Sequence, residues 1–144
     1  GGVAAHVLCK LPRDAEGYMG RLRCVQEISA VTAACMMVKT SVFKAVGGFD
    51  EELKVAFNDI DLCMKVRKYG VKIVFTPYAE LYHYESKSRG MEDTPEKQLR
   101  FSREVNCFRR KWERELLKGD PYYNPNLTLN NTDCSLRKQE KNGD

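Results

Sequence analysis

Apolar positions change their spacing along the chain, and each change predicts an element. Residues 30–38, Ala-Val-Thr-Ala-Ala-Cys-Met-Met-Val, form an almost continuous apolar run between polar residues, which is typical of a strand buried on both faces of an α/β sheet. Residues 71–75 are rich in β-favouring side chains, and after Thr-Pro a similar pattern resumes over residues 79–84. We therefore expect two further short strands joined by a turn.

Helical spacing appears in two short segments of the chain. Thr40 or Ser41 can cap a short helix over residues 41–46, which a Gly-Gly pair then ends. Asn58 or Asp59 can cap a second helix that ends at Gly70. The apolar face predicted for this second helix consists of Leu62, Cys63, Val66 and Tyr69.

A long third helix is predicted near the C-terminus. Thr94 supplies an N-cap hydroxyl, Pro95 suits the first helical position, and a Gly-Asp-Pro sequence at 119–121 ends the helix after about 24 residues. Residues spaced by three or four form one stripe that we expect to pack on the sheet: Phe101, Val105, Phe108, Trp112 and Leu116.

The 144 residues fit one domain around a single core. Residues 1–28 mix Gly, Pro and charge and predict a loop-rich entry, and residues 120–144 predict an extended tail. The expected fold class is α/β, a few-stranded mixed sheet with packed helices and a long C-terminal helix. The N-terminal sequence has neither a start methionine nor a signal-peptide pattern, which suggests a boundary inside a longer protein.

The composition points to a folded globular chain and gives little support to nucleic-acid binding. Hydrophobic residues make up 42% and charged residues 31%, and 24 basic against 20 acidic residues give a net charge of +4. The charges are interleaved, and the basic run Arg109–Lys111 is more typical of a solvated helix face than of a phosphate-binding stripe. We expect no nucleic-acid partner.

The spacing of the cysteines and the hydropathy of the chain indicate where in the cell the protein is located. The six cysteines form no CxxC pair, so we interpret them as reduced thiols, with Cys35 and Cys63 buried as small hydrophobes in apolar runs. Reduced thiols favour a cytoplasmic location. The longest apolar run is far shorter than the roughly 20 residues that cross a bilayer, so membrane contact at the inner face would come through other parts of the protein.

The start of the second predicted helix carries the main candidate chemistry. Asp59 and Asp61 lie near its N-terminus, where unpaired backbone amides favour an ionised carboxylate that could act as a base. The alternative is that either residue only caps the helix, and on this pattern alone that alternative is favoured.

A series of motifs changes that balance. Along residues 47–127 the chain contains, in order, GGFDEEL, FNDIDLCMKVRKYG, KIVFTPYAELYHYESKSRG, TPEKQLRF and DPYYNPNL. In this order and spacing, from about residue 11 to residue 136, the series resembles the C-terminal, acceptor-side half of bacterial family-2 glycosyltransferases of the O-antigen and rhamnan type. The resemblance implies a partial GT-A, Rossmann-like fold, with the nucleotide-binding half lying in a missing N-terminal part.

The resemblance also implies roles for residues around the second helix. Asn58-Asp59 takes the position of an acidic pair, commonly Glu-Asp, beneath the acceptor pocket, which makes Asp59 the candidate catalytic base. Asn58 departs from the common pair and could only hydrogen-bond an acceptor hydroxyl. Gly48, Phe49 and Asp50 resemble the loop that lines the acceptor site, although a helix stop followed by a buried Phe explains Gly48 and Phe49 equally well.

The donor side of the resemblance rests on fewer residues. His83 takes the position of a metal ligand that, with an upstream DxD motif, holds Mn²⁺ or Mg²⁺ against the leaving diphosphate. That motif is absent, so we expect a divalent cation in the full-length enzyme and none held by this fragment; by itself His83 is more typical of a strand histidine. Lys87 and Arg89 could contact the diphosphate or be solvated loop charges.

These expectations describe half of an inverting glycosyltransferase that moves a hexose or rhamnose from a nucleotide-diphosphate donor to a saccharide acceptor in cell-surface polysaccharide synthesis. The isolated fragment is expected to be inactive without its N-terminal half. The alternative is a non-catalytic interaction module that acts through the 95–118 helix and the tail.

Overall fold

The computed structural model describes residues 3–84 and 94–138. Helix α1 spans Thr40–Ala45, α2 spans Asn58–Lys68, and α3 spans Pro95–Lys118. Strands β1, Gln26–Glu27, and β2, Val74–Phe75, form a two-stranded sheet. Short 3₁₀ turns lie at Tyr18–Arg23 and Ala33–Cys35.

Helix α3 begins and ends where its sequence predicts. The Thr94 side chain accepts a hydrogen bond from the backbone N–H of Lys97 at 3.4 Å, and Pro95 occupies the first turn. Gly119 terminates the helix with a φ of 76°, a conformation that glycine adopts without strain. The predicted length of about 24 residues is confirmed.

The core lies between α3 and the segment that leads into α2. Phe108 and Trp112 of α3 are buried against Leu53, and Ile60 and Met64 of α2 pack at the edge of this cluster. The prediction that the α3 stripe packs on the sheet is wrong. With strands of two residues, the sheet offers too little surface, so α3 buries its apolar side chains against α2 instead.

Aromatic packing explains how α2 begins. Phe57 precedes the helix with a left-handed φ of 62°, and no side chain caps the first turn. Its ring lies 5.4 Å from that of Phe108 and 5.7 Å from that of Phe101, contacts that offset the unfavourable backbone conformation. The helix is therefore where the pattern predicts it, but the predicted capping by Asn58 or Asp59 is wrong.

The other two helix predictions are also confirmed in part. Helix α1 forms, but Thr40 lies inside it rather than at its cap, and Lys39 precedes it without a side-chain cap. On α2, Leu62, Cys63 and Val66 are buried as expected. Tyr69 is 58% exposed because the helix ends at Lys68, so its side chain projects beyond the packed face.

Two of the predicted strands do not form among the described residues. Residues 30–38 are mostly exposed, with Met37 99% accessible and Cys35 exposed, and a 3₁₀ turn capped by Thr32 interrupts them. A doubly buried strand needs a neighbour on each side and a layer on each face, and the described residues supply neither. Residues 79–84 are likewise exposed and irregular, and only residues 74–75 of the 71–75 segment join the sheet.

The segment after α3 folds back on the N-terminal region. Leu127 pairs with Leu136 in an antiparallel bridge, and Leu127 is buried. The Tyr122 hydroxyl donates to the carboxylate of Glu27 in β1 at 3.2 Å, and the Ser29 hydroxyl donates to Asp120. Residues 120–138 are therefore tied to the first third of the chain through side chains that show no periodic pattern.

Candidate functional site

Asp59 lies in the first turn of α2, and backbone amides hold its carboxylate. Its Oδ2 atom accepts a hydrogen bond from the N–H of Ala33 at 3.0 Å, and its Oδ1 atom accepts from Ile60 at 2.8 Å. Asp59 is half-buried, as is Asn58, the first residue of the helix. Each carboxylate oxygen offers two acceptor positions, so the side chain is fixed in orientation and retains capacity for a further donor.

The 48–50 loop follows α1 and has a conformation that only glycine adopts easily. Gly48 is buried with a φ of 63°, and a Cβ atom at this position would lie 3.0 Å from the ring of Phe43. The same ring meets Phe49 edge to face at 5.5 Å, leaving Phe49 48% exposed. The prediction of a helix stop is confirmed, but that of a buried Phe49 is wrong because only one side of its ring is covered.

A buried carboxylate, Asp61, lies two residues after Asp59 on α2. Asp61 has no accessible surface, and its Oδ1 atom accepts a hydrogen bond from the indole N–H of Trp112 at 2.8 Å. The Lys111 ammonium forms an ion pair with the same oxygen, also at 2.8 Å. The Lys65 ammonium lies 3.2 Å from Oδ2 as an ion pair, at an angle outside that of a hydrogen bond. Two cations and an indole thus compensate the buried charge.

Each of these two lysines also reaches the 48–50 loop. Lys111 donates to Asp50, and Lys65 donates to the carbonyl oxygen of Gly48. Asp61 is therefore joined to the loop by two bridges, one through α3 and one through α2. Helix α2, helix α3 and the loop meet at a single buried carboxylate.

The bridge changes the proton affinities of its members. The Lys111 ammonium and a backbone amide lower the pKa of Asp50 below its usual value. Partial burial by itself lowers the pKa of Lys111, but hydrogen bonds to Asp50 and Asp61 outweigh that effect, so the net change is a raised pKa. Both shifts favour the charged forms and therefore the bridge.

A second buried carboxylate fixes the turn before α2. Glu104 of α3 is 3% exposed, and its two oxygens accept hydrogen bonds from the backbone N–H groups of Val55 at 3.2 Å and Ala56 at 2.7 Å. The carboxylate satisfies two backbone amides of partly buried residues that have no helical or strand partner. Glu104 thus sets where the chain enters α2 and Asp59.

The donor-side candidates are not brought to this site among the described residues. His83 is exposed in the irregular segment after β2, and in residues 3–84 and 94–138 no hydrogen bond or ion pair joins it to Asp59 or to the 48–50 loop. That same part of the chain contains no group of three or more His, Cys, Asp or Glu side chains placed to hold a metal ion. Lys87 and Arg89 lie outside the described residues.

The sequence interpretation missed the residues that organise the site. Lys111 belongs to the basic run read as a solvated face, and this reading is wrong for it because its ammonium pairs with two carboxylates. For Asp61 the helix pattern offers two roles, a base or a cap, and neither describes a fully buried carboxylate that pairs with two lysines. One signal was available: a buried Trp112 needs an acceptor for its indole N–H, and Asp61 is an acid beside the apolar face of α2.

Sequence comparisons with known proteins identify relatives over most of the chain. A protein of Sinorhizobium fredii named uncharacterized protein y4gI is 55% identical over 137 residues, 94% of this chain. The O-antigen biosynthesis protein RfbC of Myxococcus xanthus is 35% identical over 144 residues, 99% of this chain. An N-acetylglucosaminyl-diphospho-decaprenol L-rhamnosyltransferase of Mycobacterium tuberculosis is 36% identical over 62 residues, 43% of this chain and 20% of that protein. The chain is similar to an O-antigen biosynthesis protein and to a rhamnosyltransferase.

The matches cover a small part of the longer relatives. The chain spans 15% of the length of the Sinorhizobium protein and 11% of that of RfbC. No family model matches the chain, and no solved structure matches it. Within the described residues, moreover, none of the helices combines the length and apolar character needed to cross a membrane.

Proposed function

We propose that this chain is the acceptor-side part of an inverting glycosyltransferase that acts in bacterial cell-surface polysaccharide synthesis. The observation that carries the proposal is the 35% identity to an O-antigen biosynthesis protein along 99% of the chain, joined by the shorter match to a rhamnosyltransferase. The partial GT-A fold, the missing nucleotide-binding half and the cytoplasmic location belong to the same proposal. The donor is a nucleotide-diphosphate hexose or rhamnose, and the acceptor is a saccharide.

Asp59 supplies the base in this proposal. An acceptor hydroxyl oxygen attacks the anomeric carbon of the donor, the bond from that carbon to the diphosphate breaks, and the nucleoside diphosphate departs. The acceptor proton passes to the Asp59 carboxylate, and the configuration at the anomeric carbon inverts. Support comes from the two backbone amides that hold the carboxylate and leave it capacity for a third donor.

The 48–50 loop and Asn58 form the acceptor side of the proposed site. The half-exposed Phe49 ring can lie against a sugar face, and the Asn58 amide can bond an acceptor hydroxyl. Lys87 and Arg89 remain proposed contacts of the departing diphosphate. No step is assigned to a divalent cation, because the described residues place no companion ligands beside His83.

Replacement of Asp59 tests the proposal. In the intact protein, Asp59→Asn keeps the size of the side chain and removes its basicity, so transfer from the nucleotide sugar should fall by at least about 100-fold. Asp14→Asn is the matched control, since Asp14 is exposed and far from α2 in sequence. Transfer by Asp59→Asn at the rate of the parent would disprove the assignment.

The alternative, an interaction module acting through α3 and the tail, receives less support. The buried apolar side chains of α3, Phe108 and Trp112, pack inside the chain, and residues 120–138 form hydrogen bonds with the N-terminal region. The two proposals differ in an assay of the intact protein. An interaction module predicts no acceptor-dependent consumption of any nucleotide sugar.

A further inference from the structure

Asp61 and the two lysines that pair with it connect the proposed catalytic helix to the acceptor loop. Asp61 has no accessible surface, so it cannot contact donor or acceptor. It nevertheless lies two residues after Asp59 on the same helix, and two lysines connect it to the 48–50 loop. We propose that Asp61 is a positioning residue that locks the acceptor loop against the helix carrying the catalytic base, through Lys111 and Lys65. This inference rests on the proposed function.

The geometry indicates positioning rather than packing alone. If Asp61 served only as the acceptor for the indole N–H of Trp112, it would need no other partner. It also forms ion pairs with the ammonium groups of Lys65 and Lys111. Each ammonium also contacts the loop: Lys111 donates to Asp50, and Lys65 donates to the carbonyl oxygen of Gly48. The loop has no strand or helix of its own, and these two bridges tie it directly to α2 and α3.

The two bridges differ in exposure, which makes one of them suitable for substitution. The Lys111 side chain is 33% exposed and that of Lys65 is 17% exposed, whereas Asp61 is inaccessible. Lys111→Gln therefore removes one bridge without opening the core. Lys111→Arg keeps the positive charge and can span both carboxylates, so it should restore the bridge.

The kinetic consequence is specific to the acceptor. If the bridges set the loop position, Lys111→Gln should raise the KM for the acceptor by roughly tenfold, the scale expected when a charge-assisted hydrogen bond is lost. The KM for the donor should change less than about twofold, and Lys111→Arg should recover most of the loss. Lys118→Gln, on the exposed last turn of α3, is the matched control.

Hydrogen exchange gives a readout that needs no turnover. In Lys111→Gln the amides of residues 48–53 should exchange roughly tenfold faster than in the parent, while amides in the middle of α3 keep their rates. Asp61→Asn should accelerate the same amides at least as much. In the double variant the two effects should be less than additive, because both substitutions interrupt the same bridge.

The outcomes separate this inference from the function on which it rests. If Asp59→Asn abolishes transfer but Lys111→Gln leaves both the acceptor KM and loop exchange unchanged, Asp61 is a packing residue and the inference is wrong. Equal increases in donor and acceptor KM would also overturn it, since they indicate general loosening. If the parent transfers no sugar, the proposed function fails; if Asp59→Asn transfers sugar as fast as the parent, the assignment of Asp59 as the base fails, whatever the loop does.

Discussion

Replacement of Glu104 by glutamine isolates the contribution of one buried carboxylate to the turn that precedes α2. Both oxygens of Glu104 accept backbone N–H groups, from Val55 at 3.2 Å and from Ala56 at 2.7 Å. Glutamine has nearly the same shape, but one of its two terminal atoms is an NH₂ group that would face an N–H. One charge-assisted hydrogen bond is lost, and a backbone amide facing the buried Glu104 side chain is left without its acceptor.

The magnitude follows from that exchange. Loss of a hydrogen bond to a charged group costs about 1.5–3 kcal/mol, and Glu104 is only 3% exposed, so water cannot replace it. We expect Glu104→Gln to lower the free energy of unfolding by about 2–3 kcal/mol. Urea denaturation measures this quantity from the midpoint, provided that the slope of the transition is unchanged.

Glu113→Gln provides the comparison on the same helix. Glu113 is exposed, so its substitution should change the free energy of unfolding by less than about 0.5 kcal/mol. The reasoning would be refuted if Glu104→Gln also stayed within about 0.5 kcal/mol of the parent, because the carboxylate would then not stabilise the turn.

Three further predictions concern the loop and the thiols. Gly48→Ala should lower the free energy of unfolding by at least about 1 kcal/mol in urea denaturation, owing to its positive φ and a neighbouring ring; an unchanged midpoint would contradict this. Because Lys111 holds the pKa of Asp50 below its usual value, the stability contributed by Asp50 is present above the unfolded pKa of about 3.9 and is lost as pH falls through the lowered folded pKa. The stability difference between parent and Asp50→Asn should therefore shrink from about pH 7 to about pH 2.5, and a constant difference would exclude the ion pair as its cause. Burial raises the pKa of the Cys63 thiol, so iodoacetamide should alkylate the exposed Cys24 well before Cys63 in the native chain, as peptide mass spectrometry would detect; equal rates would show that α2 opens readily.

Local signals in the sequence determined the helices well. Thr94 and Pro95 mark the start of α3 with a hydroxyl acceptor and a fixed φ, and Gly119 marks its end, so the boundaries depend on neighbouring residues alone. The spacing of Leu62 and Val66 likewise predicted α2. These features are local, and a single sequence is sufficient to read them.

The strands could not be predicted in the same way. A continuous apolar run such as residues 30–38 fits a buried strand only if partner strands and covering layers exist, and periodicity carries no information about them. The strand predicted over residues 79–84 does not form, because it too would need partner strands that its own sequence does not specify. The few-stranded mixed sheet of a partial GT-A fold stays a prediction, since the described residues contain one two-stranded sheet.

The candidate site was predictable to the extent that it depends on motif position. Asp59 lies at the start of a helix as the pattern indicates, and the resemblance implies the 48–50 loop as the lining of the acceptor site. The bridge through Lys111 joins residues 61 positions apart in the chain, and no local pattern encodes such a contact. Lys111 meets Asp50 and Asp61 only because α3 packs against α2 in the folded chain.

The most direct test of the account measures chemistry and donor binding separately in the intact protein. At saturating donor and acceptor, Asp59→Asn should lower kcat by at least about 100-fold, while calorimetry shows the affinity for the nucleotide-sugar donor unchanged. An unchanged kcat would contradict the role of Asp59 as base. Loss of donor binding in parallel with kcat would show instead that Asp59 lies on the donor side.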